Sequence, residues 1–133
     1  MVARENAYRL GAYNVAFVEG DLFAAVGQGD RFDVITANPP YIASTEIPTL
    51  MADVRDFEPR LALDGGPDGL DLVRRIVAEA PAYLDTHGVL AVEVGAGEAP
   101  LTQSLFEARG FTDIRVERDY GKIERVVSGI RPA

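Results

Sequence analysis

Strands alternating with helices and finishing in two neighbouring strand candidates predict an α/β domain, a mostly parallel sheet that ends in an antiparallel hairpin. Three observations carry this expectation. The run "FDVITA" (residues 32–37) is nearly continuously apolar, as in a parallel strand covered on both faces. "HGVLAVEVG" (87–95) has the same character, and the segments between and after these two runs place apolar residues at helical spacing. A chain of 133 residues is long enough for one domain with a real core and short for two, so residues 1–133 are expected to form a single domain.

Taken in order, Ala3, Ala7 and Leu10 share one helical face, and Gly11 stands where a C-terminal stop belongs, so a short helix opens the chain. "NVAFVEGD" (14–21) alternates like a strand, and "FDVITA" is the second strand. Residues 41–69 are rich in Pro, Gly and acidic side chains without sustained periodicity; a connection of that length usually carries function. Leu70, Val73, Ile76, Val77, Ala80 and Leu84 repeat at helical spacing, with Pro81 ending or kinking the helix. "HGVLAVEVG" is a third, buried strand. Leu101, Leu105 and Ala108 mark a further helix closed by Gly110, and "FTDIRVERD" (111–119) with "IERVVSGI" (123–130) form the hairpin.

Composition excludes several function classes. Without cysteine there are no disulfides or thiolate metal sites, and His87, the one histidine, cannot build a histidine cluster, so no metal is expected. A net charge of −8 works against unspecific binding to nucleic acid, which needs clustered Lys and Arg. No apolar run approaches the roughly 18 residues of a membrane helix. The N-terminus lacks the apolar stretch of a signal peptide, which makes the cytoplasm the expected compartment.

The segment with the most chemistry is Asn38-Pro39-Pro40-Tyr41, directly after the "FDVITA" strand. In open α/β sheets, ligands gather beyond the carboxyl ends of the strands. Each proline fixes its own φ and confines its predecessor to extended backbone, so the segment is stiff. Neither proline offers an N–H, which leaves carbonyl acceptors for a ligand. A planar –NH2 group, carboxamide or exocyclic base amine, could give its two N–H bonds to the Asn38 side-chain oxygen and the Pro39 carbonyl. Tyr41 could stack on that group and lie near a sulfonium methyl donor. A rigid turn is the bland alternative for Asn-Pro alone; the full tetrapeptide after an apolar strand favours function.

With "ENAYRLG" (5–11), "EGDLF" (19–23), the tetrapeptide, "EIPTLMADVRDFEPRLALDGGPDGLD" (46–71) and "RDYGKIERVV" (118–127) in place, the sequence resembles the bacterial release factor glutamine N5-methyltransferases over nearly its whole length. Asn-Pro-Pro-Tyr alone would equally suit adenine-N6 nucleic-acid methyltransferases; residues 46–71 make the distinction. The resemblance implies a partial Rossmann-like methyltransferase domain and transfer of a methyl group from S-adenosylmethionine to the glutamine side-chain amide of a release factor's Gly-Gly-Gln motif. It assigns Asn38, Pro39, Pro40 and Tyr41 to the catalytic substrate-amide site, and Asp21 and Leu22, with Asn38, to the cofactor. An ordinary helix N-cap is the alternative for Asp21.

The family's Gly-rich loop, its ribose-binding carboxylate and its first two strands do not precede "ENAYRLG" in this sequence. The chain is therefore expected to be an N-terminally truncated domain with reduced cofactor affinity and doubtful activity alone. Exposed strand edges are expected to favour a homodimer. A non-catalytic module that retains the fold is the competing class. "VEVGAGEAP" also suggests a displaced dinucleotide loop at Gly95 and Gly97, with Glu117 as its acid. Arg55, Arg60, Arg74 and Arg75 are candidates for a basic patch, Glu58 for the substrate groove, and Tyr8, Tyr13 and Tyr83 for packing at core edges.

Overall fold

The computed structural model describes residues 2–49 and 64–133. Its contacts divide the chain into two compact units, Met1–Asp30 and Arg31–Ala133.

In the first unit, helix α1 (Val2–Arg9) ends where the sequence places a stop, and Gly11 takes the left-handed backbone (φ 69°) that such a stop requires. No residue of α1 is buried. Tyr8 in this helix and Tyr13 after it are exposed, at 76% and 79%, rather than packed at a core edge. The strand expected over 14–21 does not form: residues 15–19 carry no regular structure. A strand persists through the ladder it shares with a neighbour, and among the described residues of this unit no strand provides one. A 3-10 turn, Leu22–Ala25, follows Gly20, where a Cβ would stand 2.6 Å from Ala25 Cβ.

The second unit holds β1 (Phe32–Ala37), α2 (Asp71–Glu79), β2 (Leu84–Glu93), α3 (Ala99–Arg109), β3 (Thr112–Arg118) and β4 (Glu124–Ile130). The strands form one sheet in the order β1-β2-β4-β3. β1 and β2 are parallel, while β4 runs antiparallel to both β2 and β3. Three of the four strands thus share a direction, and the chain ends in the expected hairpin. The hairpin's turn is held by Asp119, whose carboxylate accepts the Ile123 N–H (3.0 Å) and an Arg125 N–H (3.2 Å). These hold its carboxyl below the usual range, the Ile123 bond being the larger influence.

The core lies where the apolar periodicities meet. α2 contributes Val73, Ile76 and Val77, β2 Leu84, Leu90 and Val92, and α3 Phe106, all essentially buried. α3 packs on α2, β3 and β4, and the Phe106 and Phe111 rings meet at 4.9 Å. Pro81 ends α2 as expected, in a short 3-10 turn (Ala80–Ala82). Gly110 closes α3 at φ 94°.

Two strand expectations are corrected. β1 is an edge of the sheet among the described residues, with Phe32 and Val34 exposed at 40% and 58%, so it is not covered on both faces. β2 starts at Leu84, not at His87; its register against β1 jumps between the Phe32–Leu84 and Val34–Val89 pairs. His87, at φ 62°, takes up that irregularity inside the strand.

Candidate active site

Because β1 and β2 are parallel neighbours, their carboxyl ends emerge side by side, with Ala37 opposite Val92. The chain leaving β1 is Asn38-Pro39-Pro40-Tyr41, and the chain leaving β2 is the loop Val94 to Glu98 that leads into α3. Strand direction alone therefore brings the tetrapeptide and the "GAGE" turn together. Asn38 is exposed, Pro39 buried, and Pro40 and Tyr41 half-buried. Among the described residues, no hydrogen bond engages the Asn38 side chain or the Pro39 carbonyl.

Tyr41 lines a cavity of about 390 Å³ with Asp68, Leu70, Gly95, Glu98 and Leu101. Three glycines make its close approaches feasible. At Gly95 a Cβ would stand 2.9 Å from Tyr41 Cδ2 and 2.6 Å from Glu98 Oε1. One at Gly65 would stand 2.6 Å from the Pro40 carbonyl oxygen, and one at Gly69 would collide with the Tyr41 carbonyl oxygen and Glu98 Oε2. Gly69 also has φ 82°, where a side chain is strained in any case.

The long connection expected between 41 and 69 is pinned at both ends. Ile42 bridges Asp64, the Gly65 N–H donates to the Ile42 carbonyl (2.8 Å), and the Ser44 N–H donates to that of Gly66 (2.9 Å). The Asp64 carboxylate accepts the Ser44 hydroxyl (2.7 Å) and the Gly66 N–H (2.9 Å). Residues 44–49 form a 3-10 turn with Ile47 buried. Arg55, Glu58 and Arg60 lie outside the described residues. Arg74 is ion-paired with Asp68 and Asp71 rather than open to an anion.

The Arg74 guanidinium, with the Leu70 N–H at 3.0 Å, holds the Asp68 carboxyl down from 3.8 to about 2. A carboxylate thus stands on the cavity wall at any physiological pH. The Glu98 carboxylate accepts the Gly95 N–H at 2.7 Å.

Asp21 and Leu22 belong to the N-terminal unit. Asp21 sits at the N-cap position of the 3-10 turn without a side-chain capping bond, and Leu22 takes an uncommon left-handed φ of 50°. The displaced dinucleotide loop is not supported. In that fold the acid ends the strand beside the loop's own strand, whereas β4 stands between β2 and β3, which carries Glu117. Gly95 and Glu98 are instead a wall of the cavity that Tyr41 lines; the sequence signal, Gly-x-Gly-Glu after a buried strand, was visible but pointed to another role. Among the described residues, no cluster of acids or His could hold a metal, and no helix is long and apolar enough to cross a membrane.

No family model matches the chain. Its fold is that of a methyltransferase: a crystal structure of a methyltransferase from Pyrococcus furiosus superposes with TM-score 0.67, covering 98% of this chain and 56% of that one. At 18% identity the likeness speaks for the fold alone. The sequence is more specific. The chain is 47% identical over 96% of its length to a protein of Geobacter sulfurreducens named release factor glutamine methyltransferase. It is 43% identical over 98% to one of Caulobacter vibrioides with the same name. A release factor-specific protein-(glutamine-N5) methyltransferase structure from Alicyclobacillus acidocaldarius shares 28% identity and TM-score 0.50, over 79% of this chain and 52% of that one. By sequence the chain is similar to the release factor glutamine methyltransferases over nearly its whole length, and it spans 44% and 45% of the length of the two curated relatives.

Proposed function

We propose that the chain carries the amide-binding part of a release factor glutamine methyltransferase, in which Asn38 to Tyr41 hold the side-chain nitrogen of a glutamine for methylation. The observation that carries this is the placement of Asn-Pro-Pro-Tyr at the carboxyl end of β1, with Asn38 open to solvent and Tyr41 on a cavity wall. An amide nitrogen is a poor nucleophile because its lone pair is delocalised into the carbonyl. Two acceptors, Asn38 Oδ1 and the Pro39 carbonyl, would each take one N–H and so fix the plane and direction of the nitrogen. The stiffness imposed by two prolines means that little reorganisation is left for the moment of reaction. The proton that the nitrogen gives up goes to water after transfer, so no general base is required.

S-adenosylmethionine, when bound, supplies a methyl group activated by a sulfonium. The residues at the cavity suit such a cation, since the aromatic face of Tyr41 and the Glu98 carboxylate attract positive charge, while Asp68 is already paired with Arg74. The roles of Asp21 and Leu22 towards the adenine, and of Asn38 towards the cofactor, rest on the resemblance alone. The 133 residues by themselves are expected to bind S-adenosylmethionine weakly, and the exposed edge of β1 is expected to pair with that of a second copy.

The test is transfer of labelled methyl from S-adenosylmethionine to a release factor and, separately, to adenine-containing DNA. Label is expected in the release factor, at low yield for the chain alone, and to be lost on Asn38→Ala. Label in DNA would replace this function with adenine methylation, and label in neither would leave a non-catalytic module.

A further inference from the structure

We propose that Glu98 is a positioning residue that fixes Tyr41, through a carboxylate bridging the two glycines between which Tyr41 is held. This deepens the proposed function, since it rests on Tyr41 belonging to the amide site. One oxygen, Oε1, accepts the Gly95 N–H at 2.7 Å. The other, Oε2, lies so close to Gly69 that a Cβ there would collide with it and with the Tyr41 carbonyl oxygen. On the opposite side the Tyr41 ring lies on Gly95, where a Cβ would be 2.9 Å from Cδ2. Ring and main chain of Tyr41 thus each face a glycine that the same half-buried carboxylate touches.

The anchoring extends into the core from both glycines. Val94, before Gly95, donates its N–H to the Arg125 carbonyl (2.8 Å) and is fully buried. Leu70, after Gly69, is 1% exposed at the start of α2. Glu98 itself precedes α3, accepts the Thr102 N–H on its carbonyl (3.1 Å), and is followed by buried Ala99. The carboxylate therefore bonds the Gly95 turn and packs against the Gly69 loop, both fixed at their outer ends, and what remains adjustable between them is the face presented by Tyr41. Removing it frees the Gly95 turn without removing any group that would touch the amide.

The experiment is nuclear magnetic resonance on the 133-residue chain with labelled tyrosine, the Tyr41 ring signals being identified by their loss in Tyr41→Phe. Glu98→Ala is expected to shift those signals and to speed exchange of the Gly95 amide roughly tenfold to a hundredfold, the effect of losing a charged acceptor. Glu98→Gln, whose amide oxygen can still accept the Gly95 N–H, is expected to restore both. Unmoved Tyr41 signals in Glu98→Ala, or no recovery in Glu98→Gln, would overturn the proposal. Should the alanine variant not fold, Glu98→Asp keeps the charge, shortens the reach by one methylene, and must shift Tyr41 in the same sense. None of these signals depends on methyl transfer, so a failure of the proposed function would show in the labelling assay and not here.

Discussion

Substituting Gly95 by alanine is the most informative single perturbation of the site. The new Cβ would lie 2.9 Å from Tyr41 Cδ2 and 2.6 Å from Glu98 Oε1. Carbon atoms pack at about 3.5–4.0 Å, so the Tyr41 ring must retreat by roughly 0.6 Å or more. Overpacking of this kind costs about 1–3 kcal/mol. If the carboxylate yields instead, the Gly95 N–H loses a charged acceptor, a loss of about 1.5–3 kcal/mol. The two routes give similar totals, and both displace Tyr41 or its anchor. With a urea dependence of about 2 kcal/mol per molar, the middle of the usual range, the unfolding midpoint should fall by roughly 0.5–1.5 M. The chain has no tryptophan, so circular dichroism is the suitable probe. A midpoint and Tyr41 ring signals both indistinguishable from the parent would show that the "GAGE" turn does not press on Tyr41, and the geometry of the site would be refuted.

Other expectations follow from particular residues. Asn38→Ala should lower label transfer about a hundredfold, the scale of deleting one preorganised hydrogen-bonding group, and near-parental turnover would reject its role. Asp68, held at about 2 against 3.8 when free, adds stability that is present above pH 3.8 and lost as the pH falls through about 2. Melting temperatures of Asp68→Asn should therefore converge on those of the parent over that interval, and a constant gap would contradict it. The Thr102 hydroxyl is buried without a hydrogen-bond partner among the described residues, so Thr102→Val should raise stability by about 1 kcal/mol in urea unfolding; a clear loss would mean that the hydroxyl is bonded. Sedimentation of the purified chain should show self-association that Val34→Lys at the exposed edge suppresses, and a monomer at high concentration would count against edge pairing.

Much of the second unit was legible from local chemistry. Helical spacing from Leu70 to Ala80 and from Leu101 to Ala108, with Pro81 and Gly110 as stops, coincides with α2 and α3 because local preference and burial agree there. In the first unit they part. "NVAFVEGD" has strand alternation, yet alternation describes which face could be buried and not whether a partner strand exists. The apolar run of β1 suggests double coverage for the same reason, yet coverage depends on what packs on each face, and Phe32 and Val34 are exposed. In the candidate site, the tetrapeptide was legible because proline restrictions are local. Glu98 was not, since its importance comes from the parallel pairing that brings residues 95–98 beside Tyr41, and from glycines at 69 and 95 that permit contact across loops distant in sequence.

Under the proposed function, oxygen acceptors at Asn38 and Pro39 grip a flat amide nitrogen. Titrating the isotope-labelled chain with a Gly-Gly-Gln peptide, and in parallel with its Gly-Gly-Glu counterpart, tests it most directly. Saturable shifts of the Asn38 side-chain and Tyr41 ring signals are expected with the glutamine peptide, and far weaker ones with glutamate, whose side chain has no N–H to donate. Equal responses to both peptides, or shifts that leave residues 38–41 untouched, would contradict it.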